Sequence, residues 1–170
     1  MTAARILANA FVMEGMFASS FPMFGFERRG APVTAFLRFD DNPIKLKTQI
    51  YNPDCLVVLD ASLWDYGFVY EGLKPGGVSV LNSKKPIIVK PDKKVHTAGF
   101  VDAVSIALEE IGLAAPNTCM TGAFAAATGW ISLNSVLISL EDYFSGDLLR
   151  RNVRSAERGF HEVGLTRWPK

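Results

Sequence analysis

The chain has 170 residues, 49% of them hydrophobic and 21% charged, with a net charge of +1. A chain of this length buries about 70% of its unfolded surface, enough for one cored domain. So small a net charge excludes the global basic field of a nucleic-acid binder. Cys55 and Cys119 lie far apart, and with His96 and His161 they give no CxxC or Cys/His spacing for zinc or an iron–sulfur cluster. Both cysteines sit in apolar runs and read as buried free thiols, consistent with a reducing, cytoplasmic compartment. Neither a cationic leader with a cleavage site nor an apolar run of about 18 residues occurs, so no signal peptide and no membrane span is expected.

Helical spacing opens the chain. Ala3, Ile6, Leu7, Ala10, Met13 and Phe17 share one face, and Arg5 and Asn9 fall on another. A turn rich in Phe, Pro and Gly is expected from Ser19 to Pro32. Val33–Phe39 alternates as a strand and ends at Asp40-Asp41-Asn42-Pro43. Ile44–Ile50 alternates again, and the two runs predict a β-hairpin.

Cys55-Leu-Val-Val-Leu59 is a short apolar run, as expected of a parallel strand covered on both faces. Tyr66–Leu73 reads as a short helix stopped by Lys74-Pro75-Gly76-Gly77. Val78–Leu81 predicts a core strand, and Pro86–Val89 and Val95–Phe100 predict two more. From Val101 the period becomes helical, with Gly112 as a C-terminal stop. Met120–Thr128 is apolar nearly all round and rich in small residues, the pattern of a buried, closely packed helix ended by Gly129. Ser132 caps a further helix. Asp147–Val163 is a last amphipathic helix, with Arg150, Arg154 and Arg158 in a stripe. Strands alternating with helices predict a three-layer α/β sandwich, with a mostly parallel central sheet and helices on both faces.

The stretch Phe24-Gly-Phe-Glu-Arg-Arg-Gly-Ala-Pro-Val33 stands out. Gly25 and Gly30 permit close approach of another chain or ligand. Glu27 can pair with one arginine, and a guanidinium of Arg28 or Arg29 offers a two-pronged donor to a carboxylate or phosphate. The alternative is a solvated turn with a weak local ion pair. Phe17, Phe21, Phe24 and Phe26 around the arginines favour an interface. Asp60 and Asn82 sit at strand ends, where α/β ligands bind and where turn capping is equally common. Asn117 or Thr118 is a natural N-cap, at a helix start that could also meet an anion. The arginine stripe reads as the wet face of a terminal helix. No nucleophile–base pair, carboxylate pair, metal-ligand cluster, GxGxxG or Walker loop is present.

Taken together, the sequence resembles the gamma subunit of 2-oxoacid:ferredoxin oxidoreductases. The resemblance rests on FGFERRGAPV at 24–33, Arg38 with Pro43-Ile44, Leu73-Lys74-Pro75-Gly76-Gly77, Asn82, Pro116-Asn117-Thr118 and Gly122-Ala123. It covers roughly Thr2 to Glu162. It implies a non-catalytic subunit of an enzyme that oxidatively decarboxylates a 2-oxoacid to an acyl-CoA and passes electrons to ferredoxin. Thiamine diphosphate, Mg2+ and iron–sulfur clusters would belong to alpha, beta and delta subunits, with coenzyme A as co-substrate and no cofactor held by this chain alone. Gly25, Glu27, Arg28, Arg29, Gly30 and Asn117 are the residues that would face coenzyme A or a partner. The family pattern places a strand and a GxGGQG loop just before the opening helix. The sequence has neither, which leaves a start placed too late or a true loss of the loop, the first favoured; residues 1–170 are expected to form a single gamma-type domain. A free-standing nucleotide- or small-ligand-binding α/β protein, or an assembly scaffold, is the alternative. The 2-oxoacid is not specified.

Overall fold

In a computed structural model that describes residues 2–23 and 33–169, the opening helix α1 spans Thr2–Met13 and buries Ile6, Leu7, Ala10 and Phe11. Gly15, with φ +86°, turns the chain into β1 (Phe17–Pro22). β1 pairs antiparallel with β2 (Ala35–Asp40), from Phe17 opposite Asp40 to Pro22 opposite Ala35. The cross-strand Phe21 and Phe36 rings are 5.4 Å apart. The expected hairpin partner, Ile44–Ile50, is irregular instead. Lys45, Leu46 and Lys47 are exposed. The Arg38 guanidinium donates to the carbonyls of Thr48 at 2.6 Å and Gln49 at 3.3 Å, engaging the carbonyls a ladder would use. The strand partner lies in the Phe-rich segment expected to be a turn.

The main sheet has the order β3-β4-β5-β6. β3 (Cys55–Val58), β4 (Gly77–Asn82) and β5 (Val95–Val101) are parallel, and β6 (Gly164–Arg167) closes antiparallel on β5. β4 and β5 are the buried strands. β3 is at the edge, and its Val57 is 36% exposed, so the expectation of a strand covered on both faces fails there. Pro86–Val89 forms no strand. Ile87 is buried, while Ile88 and Val89 face outward. β6 follows a long charged helix and has only four residues, too few to signal by alternation.

Helices α2 (Ala103–Glu110), α3 (Asn117–Thr128), α4 (Leu133–Ser139) and α5 (Gly146–Glu162) complete the chain. α2 is capped by Asp102, whose carboxylate accepts the Ser105 N–H at 3.1 Å. Ser132 caps α4, as expected. α3 packs on β4 and β5, with α1, α2, α4 and α5 around it. Val80, Val101, Met120, Phe124 and Val136 belong to this core. Phe11 stacks on Phe39 with centroids 3.8 Å apart and meets Phe124 edge-on at 6.3 Å.

The mixed α/β architecture with a mostly parallel sheet is therefore present. On the opposite face, Leu81, Ala98 and Phe100 pack against Trp64, Tyr70, Leu73 and Ile87. These come from a 3-10 turn, Gly67–Tyr70, and from loops rather than α-helices. Gly67, Gly72, Pro75 and Gly76 break the first connection, and Pro86 and Pro91 the second.

Candidate functional site

β1 and β2 converge on the segment singled out by its arginines. The Met23 N–H donates to the Thr34 carbonyl at 2.9 Å, so the two ends of the segment are held together. Gly25, Glu27, Arg28, Arg29 and Gly30 themselves lie outside the described residues. Beside the strand ends, Ala4, Arg5, Ser20, Phe21, Pro22 and Ala35 line a cavity of about 10 Å³. That is about the room one water needs, far below a coenzyme pocket.

Asn117 is the first residue of α3 and is half-buried. The N-cap position is Pro116, in helical conformation, and no side chain caps the helix, so neither Asn117 nor Thr118 serves as the expected cap. Thr118 turns inward instead. Its hydroxyl donates to Asn152 Oδ1 at 3.0 Å, and Asn152 Nδ2 donates to the Leu148 carbonyl at 2.9 Å.

The other polar candidates are structural. Asn82 is 2% exposed; its amide donates to the Leu59 carbonyl at 2.8 Å and accepts the Ala103 N–H at 3.0 Å. It thereby ties the end of β3 to the start of α2. Asp60 accepts from the Ser62 hydroxyl at 2.7 Å and the Ser62 N–H at 2.8 Å. Those two bonds hold its carboxyl below the usual carboxylate range. Both residues are turn and cap groups.

In the arginine stripe, Arg150 pairs with Asp147 at 3.1 Å and Arg154 with Glu110 at 2.9 Å. Arg158 reaches Glu109, Glu110 and Glu162 at 2.6, 3.1 and 2.5 Å. The Arg154 hydrogen bond is the main cause of a lowered Glu110 carboxyl pKa. These guanidiniums are engaged within the chain, as expected of a solvated helix face.

A carboxylate that sequence reading missed joins α1 to α4. Glu14 Oε1 accepts the Ser132 N–H at 2.9 Å and the Ser135 hydroxyl at 2.8 Å. The backbone hydrogen bond from Ser132 holds its carboxyl low. A separation of over a hundred positions hides this contact from any local pattern.

Cys119 is fully buried, and burial pushes its thiol up to about 12. Cys55 is half-buried as a residue, less than expected, yet its sulfur is desolvated and its thiol pKa is also raised. Such thiols are poor nucleophiles and poor metal ligands. Among the described residues, no group of three or more His, Cys, Asp or Glu side chains could hold a metal ion. These residues do not fit an iron–sulfur cluster or a thiamine-bound metal. No helix among them is long and apolar enough to cross a membrane.

A mixed α/β domain whose described polar candidates are engaged within the chain, with a separate two-stranded β1–β2 sheet, is thus the class that the fold defines. Residues 1–162 match the family model described as pyruvate ferredoxin/flavodoxin oxidoreductase. The chain is 50% identical over 165 residues to the pyruvate/ketoisovalerate oxidoreductases common subunit gamma of Thermococcus kodakarensis, covering 95% of this chain and 89% of that one. It is 46% identical over 162 residues to the pyruvate synthase subunit PorC of Methanothermobacter thermautotrophicus, covering 95% of this chain and 88% of that one. The crystal structure of pyruvate oxidoreductase subunit PORC from Thermotoga maritima superposes with a TM-score of 0.84 at 33% identity, over 97% of this chain and 90% of that one. The chain belongs to the pyruvate ferredoxin/flavodoxin oxidoreductase family, as a gamma-type subunit of a pyruvate or 2-oxoacid oxidoreductase.

Proposed function

We propose that this chain acts as a non-catalytic gamma subunit beside alpha, beta and delta subunits that carry thiamine diphosphate, Mg2+ and iron–sulfur clusters. Its segment Gly25–Gly30 contacts a partner subunit or coenzyme A, with Asn117 as a further contact. One observation carries this reading. The paired ends of β1 and β2 hold Met23 and Thr34 together on either side of the segment that carries the two arginines, which supports a role for that segment as one contact surface. A guanidinium there would meet carboxylates or the phosphates of coenzyme A through two-pronged hydrogen bonds. The chain itself supplies no acid, base or nucleophile to the reaction.

The substrate is set elsewhere in the complex. The Thermococcus kodakarensis relative is described as common to pyruvate and ketoisovalerate oxidoreductases. One gamma chain serving two oxoacids fits a subunit without substrate selection. Electrons leave through the complex to ferredoxin, in a cytoplasmic enzyme.

The test is the Arg28→Ala/Arg29→Ala variant in the assembled enzyme. The expected result is weaker assembly or a several-fold higher KM for coenzyme A, with the 2-oxoacid KM unchanged. Unchanged assembly together with an unchanged coenzyme A KM would overturn the role of the turn.

A further inference from the structure

The connection between β4 and β5, residues 83–94, carries five lysines against one aspartate, a local charge of +4 in a chain whose total is +1. It is pinned at both ends. The Ser83 hydroxyl donates to the Lys85 carbonyl at 2.8 Å and accepts the Lys85 N–H at 3.2 Å. Asp92 Oδ1 accepts the Lys94 N–H at 2.8 Å, and Lys94 Nζ donates to the Tyr70 carbonyl at 3.1 Å. Ile87 anchors the middle in the second core, 3% exposed.

Directly after that anchor, Ile88 and Val89 are 77% and 76% exposed. Lys84, Lys85, Lys90 and Lys93 flank them, and none has a salt-bridge partner among the described residues. The arginines of α5 differ, since Arg150, Arg151, Arg154 and Arg158 each meet a carboxylate of the chain. A branched apolar tip within a cationic rim matches the core-and-rim anatomy of a protein interface. The anchored backbone leaves little ordering entropy to lose on binding. Unmatched positive charge selects a partner face rich in carboxylates.

We propose that loop 83–94 docks on an acidic face of another subunit of the oxidoreductase, with Ile88 and Val89 covered and the four lysines meeting Asp and Glu side chains. This rests on the chain working in a complex, but it is independent of the turn at Gly25–Gly30.

The test is carbodiimide cross-linking of the purified native complex, which joins amines to carboxylates in contact, followed by mass spectrometry of the linked peptides. The expected result is links from Lys84, Lys85, Lys90 or Lys93 to Asp or Glu of another subunit. In a complex carrying Lys84→Glu, Lys85→Glu, Lys90→Glu and Lys93→Glu, this chain should be released at about half the salt concentration that the native complex withstands. Ile88→Ser with Val89→Ser keeps the charge and should weaken assembly by about tenfold. Unlinked lysines together with native salt resistance in the charge-reversed complex would overturn the proposal. Links that form only to added ferredoxin would also overturn it, by assigning the loop to the electron acceptor. Failure of the Arg28/Arg29 test would leave these cross-links unaffected.

Discussion

Gly122 on α3 and Gly159 on α5 are each pressed against the backbone of the other helix. A Cβ on Gly122 would strike the Ala156 carbonyl, and one on Gly159 would strike the Cys119 carbonyl. The two glycines let the helices approach to backbone contact, and the small residues Cys119, Ala123 and Ala156 fill the remaining space. Backbone atoms cannot swing aside as a long side chain can, so the contact is intolerant of added volume.

Gly122→Ala and Gly159→Ala should therefore each destabilise the chain by about 1–3 kcal/mol, despite alanine's better helix propensity. Gly67→Ala is the control, because its Cβ would meet nothing within 4 Å and its backbone is not left-handed. Denaturant titration of the three variants checks this, with Gly67→Ala expected within about 0.5 kcal/mol of the parent.

This helix pair also shows what the sequence carries and what it hides. The small residues of Met120–Thr128 signal a buried, closely packed helix, and that is what forms. The partner is less legible. α5 is legible as an amphipathic helix, but its Gly159 sits among Arg158, His161 and Glu162, and nothing local marks it as a point of backbone contact. The same limit applies to Glu14 and Ser132, which meet only through the tertiary fold. It applies as well to Phe17–Pro22, whose serines and terminal proline mask a strand that β2 stabilises. Ile44–Ile50 fails in the opposite sense: it alternates, but its Thr48 and Gln49 carbonyls accept the Arg38 guanidinium rather than a strand. Of the candidate site, the sequence marks the charged segment and Asn117, but the β1–β2 pairing that brings Met23 to Thr34 emerges only in three dimensions.

Glu14 should give stability a specific pH dependence. Its folded pKa lies below the ordinary carboxylate value because the Ser132 N–H favours the charged form. Its contribution is thus present above the ordinary value and is lost as pH falls through the folded one. Glu14→Ala should cost about 0.5–2 kcal/mol near neutral pH, as loss of a helix cap does. The difference from the parent should shrink toward zero under acid conditions. A difference that stays constant with pH would show that the carboxylate charge is not what holds α4.

The arginine stripe should divide by partner geometry. Arg158 contacts three carboxylates and has a 30% exposed side chain, whereas the Arg150 side chain is 70% exposed and pairs with Asp147 alone. Arg158→Ala should cost about 1 kcal/mol and Arg150→Ala close to nothing. Thermal melts in low and high salt check both, with the Arg158 effect reduced by salt.

The two thiols should be slow to react while the chain is folded. With its pKa pushed up to about 12, Cys119 has a thiolate fraction of only about one in ten thousand at pH 8. Titration with a disulfide reagent at pH 8 should show Cys119 reacting at the rate of unfolding, and denaturant should release both thiols at once.

The central claim is that this chain works as a gamma subunit inside an oxidoreductase. The most direct measurement is purification of a tagged copy from its own host, with mass spectrometry of what accompanies it and an assay of coenzyme A-dependent 2-oxoacid oxidation. Co-purification with a thiamine-binding subunit and an iron–sulfur subunit is expected, with that activity in the same fraction. A chain recovered alone and inactive would contradict it.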